Sequence, residues 1–278
     1  MCGQFVPSSG REQEEEGVAV AEKDGVQSLE RAFTLLELMA ENGGEVPLSR
    51  LAVDSGLPLS TIHRLIRTLV ARGYVRQLPS RRYVLGPRLI HLGESSSRTL
   101  GSWARPYLTD LVDGTGETAN MAMLDGDRVV YVAQVPSRHS MRMFTEVGRR
   151  VYLHCTGVGK ALLAQLPRDT ARELVERAGL PRRTPRTITD VDELLAELDR
   201  IAEQGYAVDD GEQETGVRCV AVPVLGGPGQ TALSVSGPEG RVPVESVPEI
   251  AALLQATAAE LAAELREDGV VRVSGRAR

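Results

Sequence analysis

One stretch, residues 47–77 (PLSRLAVDSGLPLSTIHRLIRTLVARGYVRQ), constrains the fold more than any other part of the chain. It predicts two short helices around a tight turn at Gly56, followed by the start of a hairpin. In the second of these helices the apolar residues recur at helical spacing and predict one buried stripe. The stripe consists of Ile62, Leu65, Ile66 and Leu69. This pattern is typical of a helix-turn-helix, whose second helix enters the major groove of DNA.

The opposite face of that helix carries hydroxyl, imidazole and guanidinium groups, which can reach bases and phosphates. After it, two β-prone runs at residues 74–77 and 82–85 predict a hairpin, or wing, that presents further arginines. The predicted contacts to base edges are Ser60, Thr61, His63 and Arg64, and those to phosphates are Arg67, Arg76, Arg81 and Arg82. The sequence therefore predicts a winged helix-turn-helix that binds double-stranded DNA.

The distribution of charge supports this interpretation, although the chain as a whole carries a net charge of −6. Residues 45–91 contain eight arginines against Glu45 and Asp54, so this segment alone is strongly basic. A local basic face is the electrostatic footprint of a DNA-binding domain even in an acidic protein. A solvated arginine surface is the alternative explanation.

Length and composition indicate the class of protein. A chain of 278 residues fits two domains, and 42% hydrophobic residues with only 4% aromatics predict mainly aliphatic cores. No run approaches the roughly 18 apolar residues of a membrane span. The first residues are acidic and polar, unlike a signal peptide, and the three cysteines have no metal-type spacing. We therefore expect a cytoplasmic protein with reduced thiols, no membrane association, no metal and no cofactor.

Periodicity along the chain predicts an α+β protein with an antiparallel sheet in its C-terminal domain. Helices are expected at about 26–42, 49–55, 59–72, 158–166, 169–178, 190–204 and 245–266, and strands at 120–124, 129–135, 217–224 and 231–236. A helical linker should be interrupted at Gly101 and Pro106. The expected domains are a disordered acidic tail (1–24), the winged helix-turn-helix (25–87), the linker (88–113), a ligand-binding domain (114–268) and a tail (269–278).

The second domain contains a glycine-rich run, residues 153–160 (LHCTGVGK), at the start of a predicted helix. Such a run can direct free backbone amides at an anion. A nucleotide-binding phosphate loop is excluded, because that motif needs glycine at position 154, where His154 stands. A site for a small carboxylate and tight packing of helix against strand both remain open.

Three further features could contribute to the same site. Strand alternation places Ser234 and Ser236 on one face, where they could bind a polar ligand or face solvent. Cys219 could line a pocket or fill a core. The acidic run 209–214 (DDGEQE) is expected to form a loop whose charges are mostly solvated, with one or two able to reach a site.

Catalysis finds little support, because the common catalytic motifs are absent from the sequence. An enzyme using Cys219 or His154, with Cys155 as a further candidate, is nevertheless an alternative to a ligand sensor. An architectural DNA-binding protein whose second domain only oligomerises is another.

Six stretches, taken together, resemble the IclR family of bacterial transcriptional regulators from about Val26 to Arg266. They are residues 26–32 (VQSLERA), 56–61 (GLPLST), 153–163 (LHCTGVGKALL), 205–209 (GYAVD), 216–221 (GVRCVA) and 233–238 (LSVSGP). The run 135–143 (VPSRHSMRM) is most similar to the branch that senses allantoin or glyoxylate.

The resemblance implies a winged helix-turn-helix joined by a helix to a GAF-like effector domain, in a protein that forms dimers or tetramers. It further implies a regulator, more specifically a repressor, that binds a small organic acid or ureide. The effector contacts implied by the matching positions are Gly157, Val158, Asp209, Cys219, Ser234 and Ser236.

Overall fold

A computed structural model describes residues 26–143, 146–226 and 230–274. The chain divides into two compact units, with the boundary between Leu92 and Gly93. The predicted acidic tail, residues 1–24, and the last four residues of the predicted C-terminal tail lie outside the described residues. Within the described ranges, no helix is both long enough and apolar enough to cross a membrane.

The first unit contains a three-stranded antiparallel sheet in the order β1-β3-β2. Its elements are α1 (Gln27–Glu41), β1 (Glu45–Val46), α2 (Leu48–Ser55), α3 (Leu59–Ala71), β2 (Val75–Gln77) and β3 (Tyr83–Leu85). The predicted helices and hairpin are present, with ends that differ by one or two residues. Strand β1 was not predicted, since two residues are too short for a periodic signal.

The predicted linker contains α4 (Arg88–Leu100), a 3-10 turn (Ser102–Ala104) and α5 (Arg105–Thr115). Gly101 separates the first two elements, as expected. Pro106 does not interrupt a helix but lies in the first turn of α5, where its missing N–H has no intrahelical partner to lose. Helix α5 buries Leu108 and Leu111 in the core of the second unit and is therefore an integral part of it.

The second unit is built on a six-stranded antiparallel sheet in the order β6-β5-β4-β9-β8-β7, which confirms the predicted α+β class. Its strands are β4 (Thr118–Asp125), β5 (Arg128–Val135), β6 (Arg150–Val151), β7 (Ala207–Asp210), β8 (Val217–Val224) and β9 (Thr231–Pro238). Its further helices are α6 (Gly157–Leu163), α7 (Arg168–Ala178), α8 (Val191–Gln204) and α9 (Val247–Ser274). Strand β7 corrects the prediction of a loop at Asp209 and Asp210. Helix α9 extends into the predicted tail and ends at Ser274. Gly269 does not stop it, because a single glycine costs a helix only about 1 kcal/mol.

The two faces of this sheet have different partners. Val220, Val222 and Leu233 face α5 and α9 in an aliphatic core, as their alternation along the strands predicts. On the other face, small residues such as Ala221 and Ala232 belong to a second apolar core that includes side chains of α6, α7 and α8. This second face also carries a group of buried polar side chains, and these form the candidate ligand site.

Candidate functional site

Helix α3 presents the predicted polar face to solvent. Ile62 and Ile66 are buried in the core of the first unit, while Leu65 and Leu69 are partly buried. On the opposite side, Ser60, His63, Arg64 and Arg67 are exposed and Thr61 is half-buried. The hydrophobic stripe therefore holds the helix on its unit and leaves the predicted base-contacting groups accessible.

The wing ends in a tight turn closed by two backbone hydrogen bonds, from the Leu78 N–H to the Arg82 oxygen (2.8 Å) and from the Arg81 N–H to the Leu78 oxygen (2.9 Å). Arg81 adopts a φ of +64°, a left-handed conformation that residues other than glycine rarely adopt. Its side chain is exposed, as is that of Arg76. Both guanidinium groups are thus displayed at the surface of the hairpin.

Arg82 differs from the other predicted phosphate ligands. Its Nε lies 3.0 Å from Oε1 of Glu45, and its Nη2 donates to the Glu45 carbonyl oxygen at 3.0 Å. Strand β1 pairs with β3 and so places Glu45 beside Arg82. The contacts between Arg82 and Glu45 therefore connect the wing to β1. Within the described part of the chain, Arg64, Arg67, Arg76 and Arg81 form no hydrogen bond or ion pair through their side chains.

The candidate ligand site lies on the polar part of the second unit's sheet. The strand register pairs Asp209 with Cys219 and Cys219 with Ser236, across β7, β8 and β9. In the next row, Ala221 pairs with Ser234. Asp209, Cys219, Ser234 and Ser236 are all buried, so the serines do not face solvent. The structure thus brings four of the six predicted effector contacts together on one face of the sheet. We call these four residues, Asp209, Cys219, Ser234 and Ser236, the polar row.

Asn120 extends the polar row but was missed by sequence reasoning. It pairs with Ser234 across β4 and β9, and its Nδ2 donates to the Ser234 hydroxyl at 3.5 Å. Gln134 in turn donates to Oδ1 of Asn120 at 3.0 Å. Alternation along β4 is a signal for the orientation of Asn120. Nothing in the local sequence, however, pairs β4 with a strand more than a hundred residues away.

The other two predicted contacts, Gly157 and Val158, begin helix α6. An added Cβ on Gly157 would lie 3.0 Å from Sγ of Cys219, so the backbone approaches the polar row closely. Val158 buries its side chain in the apolar core, which leaves only its backbone to serve a ligand. The second glycine of the run has a packing role, since a Cβ on Gly159 would lie 2.3 Å from the Leu153 carbonyl oxygen. Tight packing of helix against strand is therefore confirmed at Gly159, whereas a carboxylate site at Gly157 stays a prediction.

The turn after β7 is buried rather than solvated. Oδ1 of Asp209 accepts hydrogen bonds from the N–H groups of Glu212 (2.7 Å) and Gln213 (3.3 Å). Lys160, which is 1% exposed, places Nζ 2.5 Å from Oε1 of Glu212 and 3.5 Å from Oε1 of Glu197. The second carboxylate oxygen of Glu212 is buried and has no hydrogen-bond partner within the described ranges. A buried charge cluster therefore lies directly beside the polar row.

A loop over residues 180–189 is hydrogen-bonded to the turn after β7. Thr184 donates its hydroxyl to the Gly211 carbonyl oxygen at 2.7 Å, and Thr187 donates to the Glu212 oxygen at 2.7 Å. From the α6 side, the Cys155 thiol donates to Oε1 of Gln213 at 2.9 Å. These contacts fix the backbone that holds Asp209 and Glu212.

Burial and neighbouring charges raise the pKa values of three side chains in the candidate ligand site. Burial, and then the charge of Glu212, raises the pKa of Asp209 to about 7. Burial, and then the charge of Asp209, raises the pKa of Cys155 to about 12 and that of Cys219 to about 11. Both thiols therefore stay protonated at neutral pH, which weakens the alternative of a cysteine nucleophile. Among the residues that the structure describes, no group of histidine, cysteine and carboxylate side chains could hold a metal ion.

Comparison with known proteins matches both units. Residues 28–79 match the model of the IclR helix-turn-helix domain, and residues 95–263 match that of the bacterial transcriptional regulator IclR C-terminal region. The chain is 37% identical to the transcriptional repressor IclR of Escherichia coli K12 over 252 residues, which cover 88% of this chain and 92% of that protein. It is 32% identical over 251 residues to the transcriptional repressor AllR of the same strain, with the same shares covered.

Solved structures show the same relationship. An IclR transcriptional regulator from Alicyclobacillus acidocaldarius is 31% identical, with a TM-score of 0.76 over 86% of this chain and 99% of that one. An IclR homolog from Microbacterium hydrocarbonoxydans, solved in complex with 4-hydroxybenzoate, is 26% identical, with a TM-score of 0.72 over 87% of this chain and 100% of that one. The chain belongs to the IclR family of ligand-responsive bacterial transcriptional regulators.

Proposed function

We propose that this regulator is a cytoplasmic repressor that binds its operator through a DNA-binding domain (residues 25–87) and a small effector through a second domain (residues 114–268). The observation that carries the DNA assignment is the exposed polar face of α3. Arg64 and Thr61 would contact base edges, with Ser60 and His63 as further candidates. Arg67, Arg76 and Arg81 would contact phosphates, because their guanidinium groups have no partner within the described residues.

We further propose that the protein binds DNA as a dimer or tetramer. Helix α1 supports this proposal, because Leu29 and Phe33 are more than half exposed, as is Val26 just before the helix. Exposed apolar side chains at helical spacing commonly mark a protein-protein interface. A two-fold dimer would present two copies of α3 to two half-sites.

The proposed effector is a small carboxylic acid or ureide, such as glyoxylate or allantoin. The polar row supports this class, since two hydroxyls, a thiol and a carboxyl are buried together on one face of the sheet, beside an apolar core. The related protein solved with 4-hydroxybenzoate is consistent with a carboxylate. To regulate, the effector must prefer one arrangement of the dimer, because equal affinity for both arrangements shifts nothing.

The test begins by selecting operator duplexes from a random library with the purified full chain. Affinity for the selected duplex is then measured with and without glyoxylate, allantoin or 4-hydroxybenzoate, and at several salt concentrations. If the three arginines assigned to phosphates neutralise them in each protomer, log affinity of a dimer should fall with log salt at a slope of roughly −5. A slope near zero, or the absence of any selected sequence, contradicts the proposed DNA-binding function.

The effector site is tested with the double variant Ser234→Ala, Ser236→Ala. We expect it to keep operator affinity and lose the effector response, because both hydroxyls of the polar row are removed. Ser246→Ala, which changes a half-buried serine outside the polar row whose hydroxyl is bonded to the Pro243 oxygen, is the control and should respond like the wild type. A double variant that also responds like the wild type would place the effector site elsewhere.

A further inference from the structure

Asp209 is a buried carboxyl group with no cation of its own among the residues that the structure describes. It is 4% exposed and forms no ion pair with any described residue. The nearby cation, Lys160, already contacts two other carboxylates, those of Glu212 and Glu197. The two backbone amides of the following turn occupy Oδ1 of Asp209, which leaves Oδ2 as the oxygen available for a proton.

The groups that face Asp209 come from every element around it. They are Glu212 and Gln213 of the following turn, Lys160 of α6, Cys155 before α6, Cys219 of β8 and Tyr131 of β5. The adjacent Asp210 lies outside this group, because Arg218 and Arg186 bind its carboxylate. With Asp209, Glu212 and Lys160 all ionised, the buried cluster carries a net negative charge.

A carboxylate ligand in the polar row would come close to this charge. Cys219 is the register neighbour of both Asp209 and Ser236, and adjacent strands lie about 4.8 Å apart. A carboxylate bound at Cys219 and Ser236 would therefore contact Asp209. Two carboxylates at such a distance in a water-poor site cannot both ionise without a cation, and they share a proton instead.

We infer that a carboxylate effector enters this site together with one proton, which Asp209 accepts on Oδ2 and donates as a hydrogen bond to the effector. The proton comes from solvent, and no covalent bond of the effector changes. A neutral ureide would need no such proton, so the site distinguishes the two classes by pH. The raised pKa of Asp209, to about 7 through burial and then the charge of Glu212, is consistent with this inference.

This inference rests on the proposed binding of small carboxylates, and calorimetry on the full chain tests the two separately. Sodium glyoxylate is titrated at about pH 8 in two buffers of different ionisation enthalpy, and we expect uptake of close to one proton per bound ligand. The dissociation constant should rise about tenfold between roughly pH 7.5 and 8.5. In Asp209→Asn both effects should disappear, whereas the surface control Asp192→Asn should keep them.

The outcomes separate the two proposals. Glyoxylate binding with no proton uptake and no dependence on pH overturns the inference and leaves the effector site intact. Proton uptake that persists in Asp209→Asn also overturns it, since another group must then accept the proton. Thermal-shift assays run in parallel with glyoxylate and 4-hydroxybenzoate; no stabilisation by either between about pH 5.5 and 8.5 overturns the carboxylate function and the inference together. The wild-type buffer comparison counts the proton even if the variant does not fold.

Discussion

The Nζ atom of Lys160 lies 2.5 Å from Oε1 of Glu212, and both side chains are buried. We predict that Lys160→Met lowers the free energy of unfolding by about 3–5 kcal/mol, because it leaves a buried carboxylate without its cation. The double variant Lys160→Met, Glu212→Leu should be more stable than the single variant, since the buried carboxylate that lost its cation is then removed as well. Urea unfolding of the wild type and the two variants measures both effects, and a double variant no more stable than Lys160→Met would contradict this interpretation.

The stability of the protein should depend on pH through Asp209. Its pKa in the folded state, about 7, lies above its ordinary value near 4, so its contribution to stability is present at low pH and is lost as pH rises through about 7. We expect the Tm of the wild type to fall between about pH 5 and 8, and that of Asp209→Asn to fall less. Thermal unfolding at matched pH values checks this, and parallel curves for the two proteins would refute it.

Arg81 combines an unfavourable backbone conformation with a side chain that is exposed at the tip of the wing. Arg81→Gly should stabilise the protein by about 1 kcal/mol, because glycine adopts a positive φ without strain. The same change should weaken binding to all duplexes alike and make the salt slope of a dimer shallower by about 2. Ser80→Gly, at the neighbouring position, is the control and should produce neither the stabilisation nor the change in slope.

Arg64 should contribute sequence preference rather than general affinity. We predict that Arg64→Ala costs about 1–3 kcal/mol on the operator and much less on unrelated duplexes, since a base contact is lost. Arg82→Ala should change the salt slope little, because Glu45 already pairs with this guanidinium. Titrations of operator and non-operator duplexes distinguish the two variants. If Arg64→Ala loses the same binding free energy on both duplexes, Arg64 contacts a phosphate rather than a base.

The two glycines at the start of α6 should respond differently to alanine. Gly159→Ala would place a Cβ 2.3 Å from the Leu153 carbonyl oxygen, and we expect a loss of stability of about 3 kcal/mol or more from overpacking. Gly157→Ala meets the Cys219 sulfur at 3.0 Å, so we expect a folded protein with a weakened effector response. Urea unfolding and ligand-induced thermal shifts, recorded for both variants, test the distinction. Equal destabilisation of the two would argue against it.

Much of the architecture could be predicted from local patterns. The apolar stripe of α3 predicts its buried side and hence its exposed one, since the period of 3.6 residues is a property of the helix itself. Alternation along β9 likewise predicts that Ser234 and Ser236 share a face. The loop prediction at 209–214 was wrong at its start, because charged residues are rarely buried in strands and composition alone favours a loop.

The sequence by itself determined the helix-turn-helix, the α+β class and the side chains that can meet DNA or a ligand, because these follow from the spacing of neighbouring residues. Only the tertiary structure decided that Asn120 joins the polar row, that Glu45 pairs with Arg82, and that Asp209 is buried with no ion pair in the described part of the chain. These relations depend on strand register, burial and the distance between charges. Such quantities arise only when remote segments pack together, and here they set the proton equilibrium of the candidate effector site.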